Sequence, residues 1–287
     1  MIFLIVYYKK PCSYIKKFLS LYDIYQKNMT DNTSLLHRKI KEQLRQWAKQ
    51  YNTKDFILSD PIQFPHRYSQ IKDIEISAFL TAWISYGNRK IIIAKGDELD
   101  QMFNGSPYNF LIERKFQPLK NNKSSFYRFF KYEDLYQICD RLYKCYIQYE
   151  SLQDAISNSP GKYPIQKIQS SFAGIKGIPV LSGTSACKRL AMFLRWMIRK
   201  DNLVDFGIWD KFSPADLIIP LDTHVHQTAL KLGITHRKIA DMKTAIEITE
   251  YMYSIFPEDP CLADFSLFGY GIATANNMKK QIIHPND

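Results

Sequence analysis

The sequence lacks both a secretion signal and a segment long enough to span a membrane. Its first ten residues, MIFLIVYYKK, contain eight apolar side chains, whereas a transmembrane helix needs about 20. The basic residues follow this apolar stretch, while in a signal peptide they precede it. We therefore expect no membrane association and a cytoplasmic location.

Cysteine is sparse and forms no motif. CxxC pairs and paired Cys and His spacings are absent, which argues against an iron–sulfur loop and for reduced thiols. His224 and His226 lie two positions apart and would point in different directions on a helix. The sequence thus predicts neither a metal site nor a cofactor. The five cysteines are Cys12, Cys139, Cys145, Cys187 and Cys261.

Common catalytic signatures are also missing. The sequence has no GxGxxG, no GxxxxGK[ST], no GxSxG and no HExxH, which argues against several nucleotide-binding, serine hydrolase and metalloprotease classes. The segment SGTSACK at 182–188 has two serines near a lysine, but no histidine close by in the sequence could act as a base.

Positive charge is abundant. Among 287 residues, 39 Lys and Arg stand against 28 Asp and Glu, which gives a net charge of +11 and a pI of about 9.2. Such a balance favours a polyanionic partner, nucleic acid ahead of a membrane surface. A basic protein that binds no polyanion is the alternative. The 46% of apolar residues suffice for a substantial core.

Helical periodicity dominates the chain and predicts an all-α fold. Apolar residues recur at helical spacing in 29–51, 74–103, 133–150 and 188–200, and alternating strand patterns are missing. Gly87 is expected to break the second of these segments. Residues 1–28 are expected to be an N-terminal extension, with Met29 as a candidate for the native start.

The segment that begins near Lys188 predicts a helix with a basic stripe. At 100° per residue, Arg195 and Arg199 fall on the same side as Lys188, opposite a broad apolar face. The stripe is either a solvated face or an edge that contacts phosphates. In the second case the helix dipole and two neighbouring arginines disfavour the ammonium form of Lys188, which suits an amine nucleophile.

Asp222, in PLDTHVHQTALKLGI at 220–234, stands directly before another helical pattern. An aspartate there caps the helix and stays ionised, because it accepts backbone N–H groups at the positive end of the dipole. A fixed carboxylate could also stabilise a cationic transition state. The sequence leaves both roles open.

Two motifs resemble the helix-hairpin-helix–GPD superfamily of DNA glycosylases. VLSGTSACKRLAM is similar to the loop and helix that carry a catalytic lysine, and IIPLDTHVHQTALKLGI is similar to the segment with the catalytic aspartate. Across about 45–275 the chain resembles an uncharacterised bacterial family distantly related to that superfamily. Within that superfamily, its motifs most resemble those of the archaeal 8-oxoguanine DNA glycosylases. The further motifs are SDPIQFPH, ACKRLAMFLRWMIR, VDFGIW, PLDTHV and DPCLADFSLFGYG.

The resemblance implies an all-helical, two-domain fold with an inter-domain cleft. Residues 29–75 together with 201–287 would form a terminal domain, and 76–200 a central domain that contains the hairpin-like motif. Lys188 and Asp222 would face each other across the cleft.

The implied function is that of a base-excision DNA glycosylase and AP lyase. Lys188 would form a Schiff base with the sugar of a flipped-out damaged nucleotide, and Asp222 would stabilise the developing charge. Double-stranded DNA is the expected partner, RNA the alternative, and the protein a monomer. The candidate nucleic-acid contacts are Asn88, Arg89, Arg189, Arg195, Arg199 and His224, and the candidate stacking residues are Trp83, Tyr86, Trp196 and Trp209.

The chain departs from the superfamily pattern at three places. Lys188 and Asp222 are 222 − 188 = 34 positions apart, which is longer than the usual interval. The hairpin lacks the second glycine of GxG, and Gly87 stands where a wedging glutamine is common, so that Tyr86, Asn88 or Arg89 would have to separate the strands. The last two departures support an alternative, a non-catalytic nucleic-acid-binding protein that retains the fold.

Overall fold

A computed structural model describes residues 31–201 and 203–271 and is predominantly helical, which confirms the predicted all-α class. We number its elements in chain order. The helices are α1 (Asp31–Tyr51), α2 (Asp55–Ser59), α3 (Ile71–Ile84), α4 (Arg89–Phe103), α5 (Pro107–Ile112), α6 (Tyr132–Gln148), α7 (Leu152–Ser157), α8 (Pro164–Ser171), α9 (Lys188–Ile198), α10 (Thr223–Lys231), α11 (Met242–Tyr253) and a last helical segment, 263–271.

A boundary between two compact units falls between Gln43 and Leu44, inside α1. The structure describes only 31–43 of the first unit, as the beginning of α1. All features discussed below belong to the unit that begins at Leu44. The predicted extension 1–28 lies outside the described residues. The division into a central and a terminal domain stays a prediction.

Helix α3 forms the centre of the core. Its residues from Asp73 to Ile84 are all buried, as expected for a helix that is apolar around most of its circumference. Helix α9 packs against it, where Phe79 contacts Phe193 edge to face with ring centroids 5.0 Å apart. Phe172, directly after α8, contacts the same Phe79 ring at 4.3 Å.

A buried carboxylate links α3 to later parts of the chain. Glu75 accepts hydrogen bonds from Trp209 Nε1 at 2.7 Å, from Tyr146 Oη at 2.8 Å and from the backbone N–H groups of Leu152 and Gln153. Burial raises the pKa of Glu75, while these four donors act in the opposite direction. The carboxylate thereby holds the beginning of α7 and the segment around Trp209 against the core.

The structure contains a β-hairpin that the sequence pattern does not predict. Strands β1 (Ser125–Tyr127) and β2 (Phe130–Lys131) pair antiparallel around the turn residues Arg128 and Phe129. Strands this short are below the length at which period-two alternation becomes visible. Arg128 has a positive φ of 53°, an uncommon conformation for a non-glycine residue.

The predicted break at Gly87 is confirmed, since α3 ends at Ile84 and α4 begins at Arg89. Gly87 has a φ of 96°, and a Cβ atom there would collide with the guanidinium of Arg128. Glycine is therefore required by its backbone conformation, whereas the contact with Arg128 involves the end of a flexible side chain that can shift.

Candidate functional site

A cleft with two adjoining lobes opens beside the beginning of α9. The outer lobe has a volume of about 540 Å³ and is lined by Tyr86 and Arg189, among others. The inner lobe, of about 230 Å³, is lined by Asp264 and Phe268, among others. Five residues line both lobes and so mark the junction between them: Ser85, Gly87, Lys188, Asp222 and His224.

Lys188 is the first residue of α9 and is half-buried at this junction. Within 31–201 and 203–271, its Nζ atom has no hydrogen-bond or ion-pair partner. The preceding Cys187 has a φ of 51°, so the chain enters the helix through a left-handed residue, which is unusual for a non-glycine side chain. The lysine thus lines the cleft where α9 begins, and no described carboxylate forms an ion pair with its amine.

Asp222 caps α10, as the sequence predicts. One carboxylate oxygen, Oδ1, accepts a hydrogen bond from the backbone N–H of Val225 at 2.9 Å. The other oxygen, Oδ2, has no partner among the described residues. The segment that leads to the cap is fixed by a hydrogen bond from Ile219 N to Thr249 Oγ1 at 3.0 Å. One oxygen thus serves the helix, and the second is left for a ligand.

Three further predicted residues lie near the junction. His224 lines both lobes and contacts the Phe268 ring edge to face, at 5.9 Å between centroids. Arg89 lines the inner lobe, over the face of Phe268, and is 3.4 Å from Asp60. Asn88 is exposed, and its side chain caps α4 by accepting a hydrogen bond from Lys90 N.

Arg189 is tied to backbone carbonyl groups instead of carboxylates. Its guanidinium donates to the carbonyl oxygen of Trp83 and, at 2.7 Å, to that of Gly177. It also lies over the Tyr86 ring, at 5.1 Å from the centroid. Burial lowers the pKa of Arg189. The side chain therefore holds the wall of the outer lobe, and its prediction as a phosphate contact stays untested.

Arg195 and Arg199 do not form an exposed basic stripe, and the prediction that they contact phosphates is wrong. They are 3% and 2% exposed, so neither guanidinium can reach a polyanion on the surface. Arg195 binds Asp205 and Asp264. Arg199 contacts three carboxylates, with 2.6 Å to Asp201 and Asp205 and 2.7 Å to Asp259. We call these two arginines and four aspartates the charge network.

Only one of the four predicted stacking residues, Tyr86, lines the outer lobe. The prediction is wrong for Trp83, Trp196 and Trp209, because their rings are 3%, 0% and 1% exposed and have no free face for a base. Trp83 stacks on Phe130 at 3.9 Å, and the other two indoles belong to the core.

The hairpin turn borders Tyr86 at the edge of the outer lobe. Tyr127 Oη donates to the carbonyl oxygen of Tyr86 at 2.5 Å, and Tyr86 Oη donates to that of Tyr127 at 3.2 Å. Arg128 and the half-exposed Phe129 contact the Tyr86 ring. The reciprocal bonds fix the position of the tyrosine in the wall.

Sequence reasoning missed two carboxylates that line the inner lobe, Asp60 and Asp264. Both are 6% exposed. Burial, together with the nearby charge of Asp222, raises the pKa of Asp264, while Arg195 opposes this shift. Asp264 stands in the motif DPCLADFSLFGYG, but its approach to Asp222 arises from chain segments far apart, which periodicity cannot detect.

Comparison with known proteins identifies the family. The family described as "Protein of unknown function (DUF2400)" matches residues 60–273, which is more than half of the chain, and the chain belongs to this family. No curated protein and no solved structure matches. In the part of the chain that the structure describes, no helix is long and apolar enough to cross a membrane.

Proposed function

We propose that the protein binds double-stranded DNA and acts as a base-excision DNA glycosylase with AP lyase activity on a flipped-out base. One observation carries the proposal. Lys188 and Asp222, from separate helices, both line the junction of the two lobes, and each retains an atom without a partner among the described residues. An amine nucleophile and a fixed carboxylate are the two groups that this chemistry requires.

The outer lobe would accommodate the sugar and its phosphates, and the inner lobe the extruded base. Lys188 Nζ, as the neutral amine, attacks C1′ of the nucleotide. The bond from C1′ to the base nitrogen breaks, and the base leaves with the electron pair and takes up a proton. Asp222 offsets the positive charge that develops on the sugar, which is where preorganised electrostatics contribute most.

Strand cleavage follows from the covalent intermediate. After the sugar ring opens and the amine loses its protons, Nζ and C1′ form an imine. Removal of a proton from C2′ then breaks the bond between C3′ and its oxygen, and the 3′ phosphate leaves. The imine can be reduced by borohydride to a stable amine that joins protein and DNA.

The remaining features are compatible with this function. The net charge of +11 favours a polyanionic partner, and we propose Asn88, Arg89 and His224 as contacts to the DNA. Buried free cysteines, such as Cys187 and Cys261, suit a reducing cytoplasm. We propose a monomer, with RNA as the alternative nucleic acid.

Borohydride trapping on a duplex that contains an abasic site tests the proposal. The wild type should give a covalent product, and Lys188→Gln should give none while its duplex affinity stays nearly the same. Lys231→Gln is the matched control, because Lys231 is exposed at the end of α10 and the change removes the same charge. It should trap like the wild type.

Two results would contradict the proposed nucleophile or the proposed catalysis. Equal trapping by Lys188→Gln would mean that another amine is the nucleophile. Tight duplex binding without any trapping by the wild type would favour the alternative of a nucleic-acid-binding protein without catalysis.

A further inference from the structure

We propose that Asp264 determines substrate specificity: it selects extruded bases that present an N–H donor to the end of the inner lobe. This inference rests on the proposed function and names the class of base that the site accepts, a planar heterocycle with an exocyclic amino group on the edge that enters first.

The inner lobe has the size and walls for a flat ring system. Its volume of about 230 Å³ is below the range of about 300–1000 Å³ that is usual for drug-sized ligands. Phe56, Phe268 and Met192 line it, and the two phenylalanine rings are 6.1 Å apart between centroids. Aromatic faces and a thioether are favourable neighbours for a planar heterocycle.

The position of the reacting groups orients the base. Lys188 and Asp222 line both lobes, whereas Asp264 and Phe268 line only the inner one. A nucleotide whose C1′ atom lies between Lys188 and Asp222, with its phosphates in the outer lobe, therefore directs its base into the inner lobe. The edge of the base then approaches the polar groups there.

Asp264 is the carboxylate with a free acceptor in the inner lobe beyond the junction. Its Oδ2 atom accepts from Arg195 Nη1, while the Nε and Nη2 atoms of the same guanidinium contact Asp205. Its Oδ1 atom has no partner within the described ranges, although the residue is more than nine-tenths buried. Burial raises the pKa of Asp264 to about 7, while Arg195 favours its ionised form. In that form the carboxylate only accepts hydrogen bonds, so a matching ligand must donate one.

The other acidic residue of the inner lobe is already occupied. Asp60 Oδ1 accepts from the backbone N–H of Ile62 at 3.2 Å, and its Oδ2 faces Arg89 at 3.4 Å. Sites that hydrogen-bond a ligand reject the analogue that lacks the donor, because their own buried polar group is then left without a partner. Asp264 is thus the group that discriminates.

Matched probes test this with the wild-type protein. Duplexes carry one base opposite a tetrahydrofuran residue, so that neither base of a pair is paired: adenine against purine, and guanine against hypoxanthine. In each pair the members differ by one amino group. The base whose amino group faces Asp264 should bind at least about tenfold more tightly than the other member of its pair. A hydrogen bond to a charged group strengthens binding by about this factor. Equal affinity within both pairs overturns the inference.

Two variants separate recognition from folding. Asp264→Asn should abolish the discrimination or invert it, because the amide can donate where the carboxylate accepts. Asp264→Asn also weakens the contact with Arg195 and so could affect folding. Phe56→Trp is therefore a second variant, because it narrows the inner lobe without changing a residue of the charge network. It should lower affinity for duplexes with an extruded base. Unchanged affinity for the base would contradict the assignment of the lobe.

The abasic duplex distinguishes the two proposals. It places no base in the inner lobe, so trapping on it depends on Lys188 alone. Trapping without base discrimination overturns the role of Asp264 and leaves the proposed function intact. If the wild type traps nothing, the lobe is tested by calorimetry with free adenine and free purine. A preference for adenine that Asp264→Asn removes supports the role, and its absence overturns it.

Discussion

The two ends of α9 both carry positive charge, but the charge is unpaired at one end and buried in ion pairs at the other. At the beginning, Lys188 faces the cleft and has no partner among the described residues. At the end, Arg195 and Arg199 are almost completely buried and hold the carboxylates of the charge network. Helical spacing places all three on one side of the helix, so local sequence treats them alike.

The difference arises from which carboxylates later segments bring to each end. Asp259 and Asp264 reach the arginines from 60 and 69 residues away, while no described carboxylate pairs with Lys188. Removing one partner of a charge pair in the interior destabilises the fold, because it leaves the other charge buried and unpaired. A charge without a partner, half-buried at a cleft, is available to a ligand.

The largest expected effect is on stability at the buried end. Arg195→Met should lower the free energy of unfolding by about 3–5 kcal/mol, because Asp205 and Asp264 lose a shared cation in the interior. Lys188→Met should change it by no more than about 0.5 kcal/mol. Urea denaturation of both variants measures the contrast, and similar losses would remove the distinction between the two ends.

The next effect concerns the carboxylate opposite Lys188. Asp222→Asn should reduce excision by about 10²–10³, because it removes a preorganised charge from the transition state. The melting temperature should change by a few degrees at most, since Asn caps a helix about as well as Asp. Excision kinetics and thermal melting of the same preparation give both values.

Asp241 provides the matched control. It caps α11 with nearly the same backbone angles as Asp222 and the same 2.9 Å bond to a backbone N–H, but it pairs with Arg237 and does not line either lobe. Asp241→Asn should leave excision unchanged. An equal loss of rate in both variants would mean that the cap, and not the free oxygen, matters.

Replacing either capping aspartate by alanine should affect stability to a similar extent, in contrast to the different effects on excision. Asp222→Ala and Asp241→Ala should each cost about 0.5–2 kcal/mol of stability, the usual value of an N-cap. Thermal melting measures both. A much larger loss at Asp222 alone would indicate that its second oxygen also stabilises the fold.

The smallest effect is on DNA affinity. Lys188→Gln removes one positive charge of many, so the slope of log K against log salt should fall by at most about 0.9. Fluorescence anisotropy at several salt concentrations measures the slope. Arg195→Met should leave the slope unchanged in the folded protein, and a lower slope would show that Arg195 does reach the phosphates.

The sequence predicts those features that depend on neighbours along the chain. The helical class, the break at Gly87 and the cap at Asp222 are visible because periodicity, glycine conformation and capping act over a few residues. The burial of Arg195 in ion pairs and the position of Asp264 in the inner lobe were not predictable, since each depends on a partner many residues away. The hairpin at Arg128 was missed because its strands are too short for a pattern.

The charge network has a consequence for the order in which the chain is synthesised. Arg195 leaves the ribosome 69 residues before Asp264, and Arg199 leaves 60 residues before Asp259. Until those aspartates emerge, a buried α9 would carry incompletely neutralised cations, so its docking on the core is disfavoured. Contacts between such distant residues form late in folding. The cleft around Lys188 is therefore completed only when nearly the whole matched region exists, and a nascent chain has no assembled cleft.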